Sequence, residues 1–167
     1  RYLRGWFFRV DIVFTGQAAH LPADAQKALH ALQQQGVALL QDIPAQAQYD
    51  LVVDGLFGTG LSRALDARYV KLIAQVETLG APVLALDVPS GINADTGQIM
   101  GSALRAQHTI SFIALKPGLL TLDGPDYRGE LTLDTLGIEA RQFARADGYA
   151  IGAAHLRGAL PPRLKNS

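Results

Sequence analysis

Three segments place side chains capable of chemistry directly after short apolar runs. The first, Asp54-Gly55-Leu56-Phe57-Gly58-Thr59-Gly60-Leu61-Ser62-Arg63, opens on a carboxylate and continues into glycines flanked by hydroxyls and a guanidinium. Gly58 and Gly60 let a backbone approach a phosphate, Thr59 and Ser62 supply hydroxyl donors, and Arg63 supplies positive charge. The order matches neither the Walker A loop nor G-x-G-x-x-G, so a glycine turn shaped only for packing accounts for it equally well. The second segment, Asp87-Val88-Pro89-Ser90-Gly91, follows the wholly apolar Val83-Leu84-Ala85-Leu86. A carboxylate there must be solvated, paired or used. A turn or N-cap aspartate is the ordinary explanation, and Asp54 in the equivalent place after another apolar run weakens it. Aspartates, a serine hydroxyl and loop carbonyls form an all-oxygen set that suits a hard cation rather than zinc or copper. The third segment, Ala114-Leu115-Lys116-Pro117-Gly118, ends the run from Thr109 with a lysine that Pro117 holds extended. Its ammonium suits a site carboxylate, a ligand phosphate or plain solvent. His108, without carboxylate or hydroxyl context, reads as structural.

The elements that must position these residues alternate along the chain. Runs rich in β-branched and aromatic residues, at Phe7 to Phe14, Val37 to Leu40, Asp50 to Val53, Val83 to Leu86 and Thr109 to Leu115, predict strands. Between Pro22 and Gln35, Ala25, Ala28, Leu29 and Leu32 recur at helical spacing and Gly36 stands at the stop position. Between Asp66 and Leu79 the stripe is Tyr69, Leu72, Ile73 and Val76, with Asp66 as N-cap and Gly80 as terminator. Leu3-Arg4-Gly5 reads as the last turn of a helix that starts ahead of Arg1, with the glycine closing it. The alternation predicts a mostly parallel sheet flanked by helices, a three-layer Rossmann-like α/β fold. Val83 to Leu86 reads as buried on both faces and Glu130 to Leu133 as an edge strand. In such sheets ligands collect beyond the carboxyl ends of the strands, where helix N-termini offer free N–H groups.

The chain has 167 residues, enough for one core, with 15 basic and 15 acidic side chains and no cysteine. The balance gives no global field for nucleic acid or an anionic membrane surface, and Arg1, Arg4, Arg9 and Asp11 break up the only apolar opening. Without cysteine there is no disulfide framework, thiolate nucleophile or zinc cluster, which fits a cytoplasmic protein. A homo-oligomer is left open.

Together the segments resemble the NAD(P)H-hydrate epimerase family, the YjeF amino-terminal type of domain. The match runs from about Asp50 to Gly137: Asp54 to Gly60, Leu86 to Gly91 with Asp95-Thr96-Gly97, Thr109 to Gly118, and Leu136-Gly137-Ile138. Four motifs in this order are specific where each alone is not. The resemblance implies that Asp54 and Ser90 are potassium ligands. It implies that Gly58, Thr59, Gly60, Leu61, Ser62, Arg63 and Ala64 hold the phosphate-bearing part of the substrate, and that Asp87 contacts the damaged nicotinamide half. The implied reaction is epimerisation at C6 of hydrated NADH or NADPH (NADHX, NADPHX), with Asp87 as proton carrier and Lys116 as the next catalytic candidate. The family's Asn-Asn-Gly-Gly-Asp-Gly loop is expected ahead of Leu3. Residues 1–140 read as the epimerase-like domain. Residues 141–167 read as a helix and linker, Leu160 to Ser167 resembling the joint to an ATP- or ADP-dependent dehydratase domain. Two other classes fit parts of the pattern: a non-catalytic nucleotide-binding or docking module on the same fold, and a fragment of a dinucleotide-dependent oxidoreductase.

Overall fold

A computed structural model of the chain describes residues 2–146, 148–152 and 156. Four strands, β3 (Val52–Asp54), β4 (Val83–Leu86), β5 (His108–Phe112) and β6 (Glu130–Asp134), form one sheet in sequential order, every pair parallel. Two shorter strands, β1 (Ile12–Val13) and β2 (Leu39–Leu40), pair in parallel as a separate ribbon. Helices α2 (Ala23–Gln33) and α3 (Ala67–Thr78) are crossovers between consecutive parallel strands. Two single-turn helices, α1 (Tyr2–Gly5) and α4 (Gly124–Tyr127), also occur among the described residues. The α/β character read from the sequence is therefore present.

Helix α3 has both expected signals. Asp66 takes an extended N-cap conformation and its carboxylate accepts from the amides of Arg68 and Tyr69. Gly80, at φ 65°, ends it. Its Ile73 and Val76 pack with Val83 and Ala85 of β4 and with Leu104 and Ala106, with Val52, Leu65 and Ile43 at the margin. Burying such side chains stabilises by about 1.5–3 kcal/mol each, so this contact anchors β3 and β4. A second cluster, Val88, Ile92, Ala94, Ala103 and Leu119, lies under the loops that follow β4 and β5.

Several expectations need correction. The Phe7 to Phe14 run is a strand only at Ile12–Val13. Ahead of it α1 closes through Phe7, not Gly5: Phe7 N–H donates to Arg4 O and Phe8 N–H to Leu3 O, with Phe7 left-handed at φ 68°. The β5 run stops at Phe112, because Ile113 turns left-handed at φ 66°. Strand β4 is not buried on both faces: Val83 and Ala85 are buried, Leu84 and Leu86 half-buried. No residue of α2 is buried, and Ala28 of its stripe is exposed. The edge reading of β6 agrees with its largely exposed pattern. The helix and linker expected over 141–167 lie for the most part outside the described residues, among which Ala140–Gln142 forms a short turn and Leu156 is helical, its N–H donating to Gly152 O.

Candidate active site

Parallel pairing puts the carboxyl ends of β3, β4 and β5 side by side: Asp54 stands in register with Ala85, and Leu86 with Ile110. The three chemical segments leave the sheet at this edge, and the structure brings them into contact in pairs.

Asp54 ends β3 and is only 3% exposed. Its carboxylate accepts from Ser90 Oγ at 2.6 Å, Ser90 N at 2.8 Å and Leu56 N at 3.3 Å. Burial pushes this carboxyl above its usual range, while the Ser90 and Leu56 hydrogen bonds pull it back. Ser90, fully buried, also accepts from Phe57 N at 3.0 Å, so one hydroxyl ties the first loop to the second. Among the described residues Asp54 has no cationic partner. No cluster of three or more His, Cys, Asp or Glu side chains fit to hold a metal occurs among them either. A buried carboxylate beside a buried hydroxyl is an all-oxygen pair of the kind a hard cation takes, rather than a transition metal.

The glycine segment is clamped at several points. Phe57 lies edge-on to Tyr69 of α3, ring centroids 4.6 Å apart. Leu61 is buried, with its carbonyl accepting from Asn93 Nδ2, and Leu65 N–H donates to Met100 O. Between these anchors Thr59, Gly60, Ser62, Arg63 and Ala64 stay exposed, and Gly58 is half-buried. At the start of α3 the amides of Arg68 and Tyr69 are already taken, since the Asp66 carboxylate accepts from both. Recognition of an anion here would fall to the loop's own amides, hydroxyls and Arg63.

Asp87 follows β4 in the left-handed region, φ 71°, a conformation that costs a non-glycine residue about 1–3 kcal/mol. Its N–H donates to Ile110 O at 2.7 Å. Its Oδ1 accepts from Phe112 N at 3.1 Å and is paired with Lys116 Nζ. Lys116, extended at φ −88° and ψ 136° as Pro117 requires, also donates to Phe112 O at 2.7 Å. The lysine is not at the end of β5 as expected. It reaches Asp87 because the left-handed turn at Ile113 folds the chain back past the strand.

Sequence reasoning missed the parts that hold this arrangement. Asn93 Oδ1 accepts from Asp95 N, Thr96 N and Thr96 Oγ1, and Gly118 N–H donates to Ala94 O at 2.7 Å, so the lysine turn seats on the 93–97 loop. The Asn-x-Asp-Thr-Gly order carries an Asx-turn signal that would have located the first half. His108 does have partners, contrary to expectation. Its Nε2 is 2.9 Å from Thr132 Oγ1 and its Nδ1 3.7 Å from Glu130, at the far end of β5.

Residues 1–118 match the family described as YjeF-related protein N-terminus. The chain belongs to this family. A bifunctional NAD(P)H-hydrate repair enzyme of Vibrio cholerae is 41% identical over 153 residues, covering 89% of this chain and 31% of its own length. One from Leishmania braziliensis is 40% identical over 141 residues, 81% of this chain and 25% of that protein. An NAD(P)H-hydrate epimerase of Limosilactobacillus fermentum is 37% identical over 129 residues, 77% of this chain and 62% of its own length. The chain thus spans between 25% and 62% of these YjeF-related relatives. No helix among the described residues is long and apolar enough to cross a membrane.

Proposed function

We propose that the chain carries the catalytic edge of an NAD(P)H-hydrate epimerase, an isomerase that interconverts the R and S forms of NADHX and NADPHX. The observation that carries this reading is the placement of the Asp87 carboxylate. It is fixed just past the end of β4 and directed at Gly58 of an exposed, glycine- and hydroxyl-bearing loop, in a chain whose relatives bear that name. A loop that takes the dinucleotide's phosphates beside a carboxylate that takes a proton meets the needs of this reaction.

The C6 carbon of the hydrated ring carries a hydroxyl and is bonded to N1. Asp87 accepts the hydroxyl proton, the carbonyl forms, the N1–C6 bond breaks and N1 keeps the electron pair. Rotation and reclosure on the other face, with Asp87 returning the proton, give the epimer. Atoms and electrons balance and there is no net redox change. Asp54 and Ser90 would hold a potassium ion, whose charge would help bind the anionic substrate. Thr59, Ser62 and Arg63 remain accessible for phosphate oxygens, and Asp87 is only part-buried, open to a ring laid against Gly58. The bifunctional names among the relatives support a dehydratase as the consumer of the S product, fused or separate, and a cytoplasmic site of action fits a cofactor-repair role.

Epimerisation by the complete gene product, followed by coupling to excess S-specific dehydratase, tests the proposal. Asp87→Asn keeps the shape but accepts no proton, so turnover should fall by roughly two to four orders of magnitude. A wild-type protein that leaves R-NADHX unchanged, or an Asp87→Asn variant with full turnover, would overturn it.

A further inference from the structure

The two oxygens of the Asp87 carboxylate are treated very differently. Oδ1 takes the Phe112 amide and the Lys116 ammonium together. Among the described residues Oδ2 accepts no hydrogen bond, and it lies 3.7 Å from where a side chain on Gly58 would begin. Lys116 in turn is spent on this one purpose. Its ammonium reaches Asp87 Oδ1, Phe112 O and, at 3.4 Å, Ser111 Oγ, and its side chain is only 16% exposed. Three donors directed at three protein acceptors leave it none for a ligand. Ser111 is itself buried and its hydroxyl bonds Ala114 O, which fixes the far wall of the lysine's pocket.

A carboxylate torsion is broad and nearly two-fold, so an unrestrained aspartate offers either oxygen to its surroundings. Here one oxygen is tied down and the other is aimed at the glycine loop. We infer that Lys116 is a positioning residue: it locks Asp87 through Oδ1 so that Oδ2, over Gly58, is the oxygen that exchanges a proton with the substrate. The inference rests on the proton role of Asp87 proposed above and adds which oxygen acts and what holds it. It also gives Gly58 a specific task, since any side chain there would stand where the reacting group must approach Oδ2.

Lys116→Met keeps an unbranched apolar stem, one atom shorter, and removes the ammonium. Oδ1 then keeps only the Phe112 amide, the carboxylate swings, and kcat falls by about tenfold to a hundredfold, the cost of misplacing a reacting group by roughly an ångström. KM moves by less than about threefold, because the lysine does not touch the substrate. Added to Asp87→Asn, the same substitution should cost less than about threefold more, since it acts only through Asp87. Gly58→Ala brings a methyl into ordinary contact with Oδ2 on a backbone that alanine tolerates. It should lower kcat/KM by at least about tenfold with an unchanged melting temperature. If Lys116→Met does not fold, Lys116→Gln takes its place and the Gly58→Ala arm stands unaffected.

An equal loss from Lys116→Met in the wild-type and Asp87→Asn backgrounds overturns the inference, and so does a Gly58→Ala variant with normal kcat/KM. Either result leaves the epimerase reading standing if Asp87→Asn is inactive. A fully active Asp87→Asn sinks that reading instead. One readout needs no turnover. The Phe112 amide proton, which donates to a fixed carboxylate oxygen, should shift upfield in Lys116→Met and further in Asp87→Asn. An unmoved Phe112 resonance in Lys116→Met refutes the positioning role even in a protein without activity.

Discussion

Gly118→Ala adds one methyl group, and the structure gives its cost. A Cβ at this buried position would fall inside the van der Waals shell of Asn93 O and stand 2.7 Å from both the carbonyl carbon and oxygen of Ala94. Ordinary contact begins near 3.4 Å. The obstructing atoms are backbone, so no side chain can rotate away. Relief requires the lysine turn to lift off the 93–97 loop by roughly 0.7 Å or more, which stretches the 2.7 Å hydrogen bond from Gly118 N–H to Ala94 O. Overpacking of this kind costs about 1–3 kcal/mol and the weakened hydrogen bond about 0.5–1.5 kcal/mol, together about 2–4 kcal/mol. That is a large share of a total stability of about 5–15 kcal/mol. For a chain of this size it lowers the thermal midpoint by roughly 4–15 °C. The glycine φ is not left-handed, so the loss is steric and not conformational. Gly60→Ala supplies the control: nothing lies within 4 Å of its added methyl, and stability should stay the same or rise by up to about 1 kcal/mol. Calorimetric melting of both variants decides the matter. A Gly118→Ala midpoint within a degree or two of wild type would refute the close approach and, with it, the seating of Lys116.

Other outcomes follow from the same geometry. Ser90→Ala strips the Phe57 amide of its acceptor and Asp54 of its nearest donor, and should cost about 1–3 kcal/mol by urea unfolding; an unchanged midpoint would refute that link. Asp66→Ala removes the acceptor for the Arg68 and Tyr69 amides and should cost about 1 kcal/mol, read from the same curves, with kcat unaffected. The Asp54 carboxyl is raised by burial above 3.8, so its contribution to stability is present below that value and lost as pH rises through the folded one. A potassium ion held by the ionised form, as proposed above, would offset that loss. Melting near neutrality should therefore occur at higher temperature in potassium chloride than in tetramethylammonium chloride of equal ionic strength. The gap should close as pH falls toward the acid range and vanish in Asp54→Asn, and equal midpoints at neutral pH would count against the cation.

What the sequence determined by itself was whatever depends on neighbours along the chain. Helix α3 carries its start, stripe and stop within fifteen or so positions, and Asp66, Ile73, Val76 and Gly80 stand where their spacing placed them because caps and amphipathic faces are local. The parallel sheet followed from the alternation of runs, and the family from four motifs in order. Strand ends were less legible. Ile113 is β-branched and reads as strand, yet it turns left-handed, since the contacts of Lys116 and Gly118 over-determine the turn. The Phe7 to Phe14 run has strand composition, but a strand exists only where a partner supplies hydrogen bonds, and β2 pairs with two of its residues. Only tertiary structure decided that Ser90 bonds Asp54, 36 positions away, and that Lys116 pairs with Asp87, 29 positions away. No spacing encodes those distances, because they are set by parallel strands in register and by glycines that let one backbone rest on another.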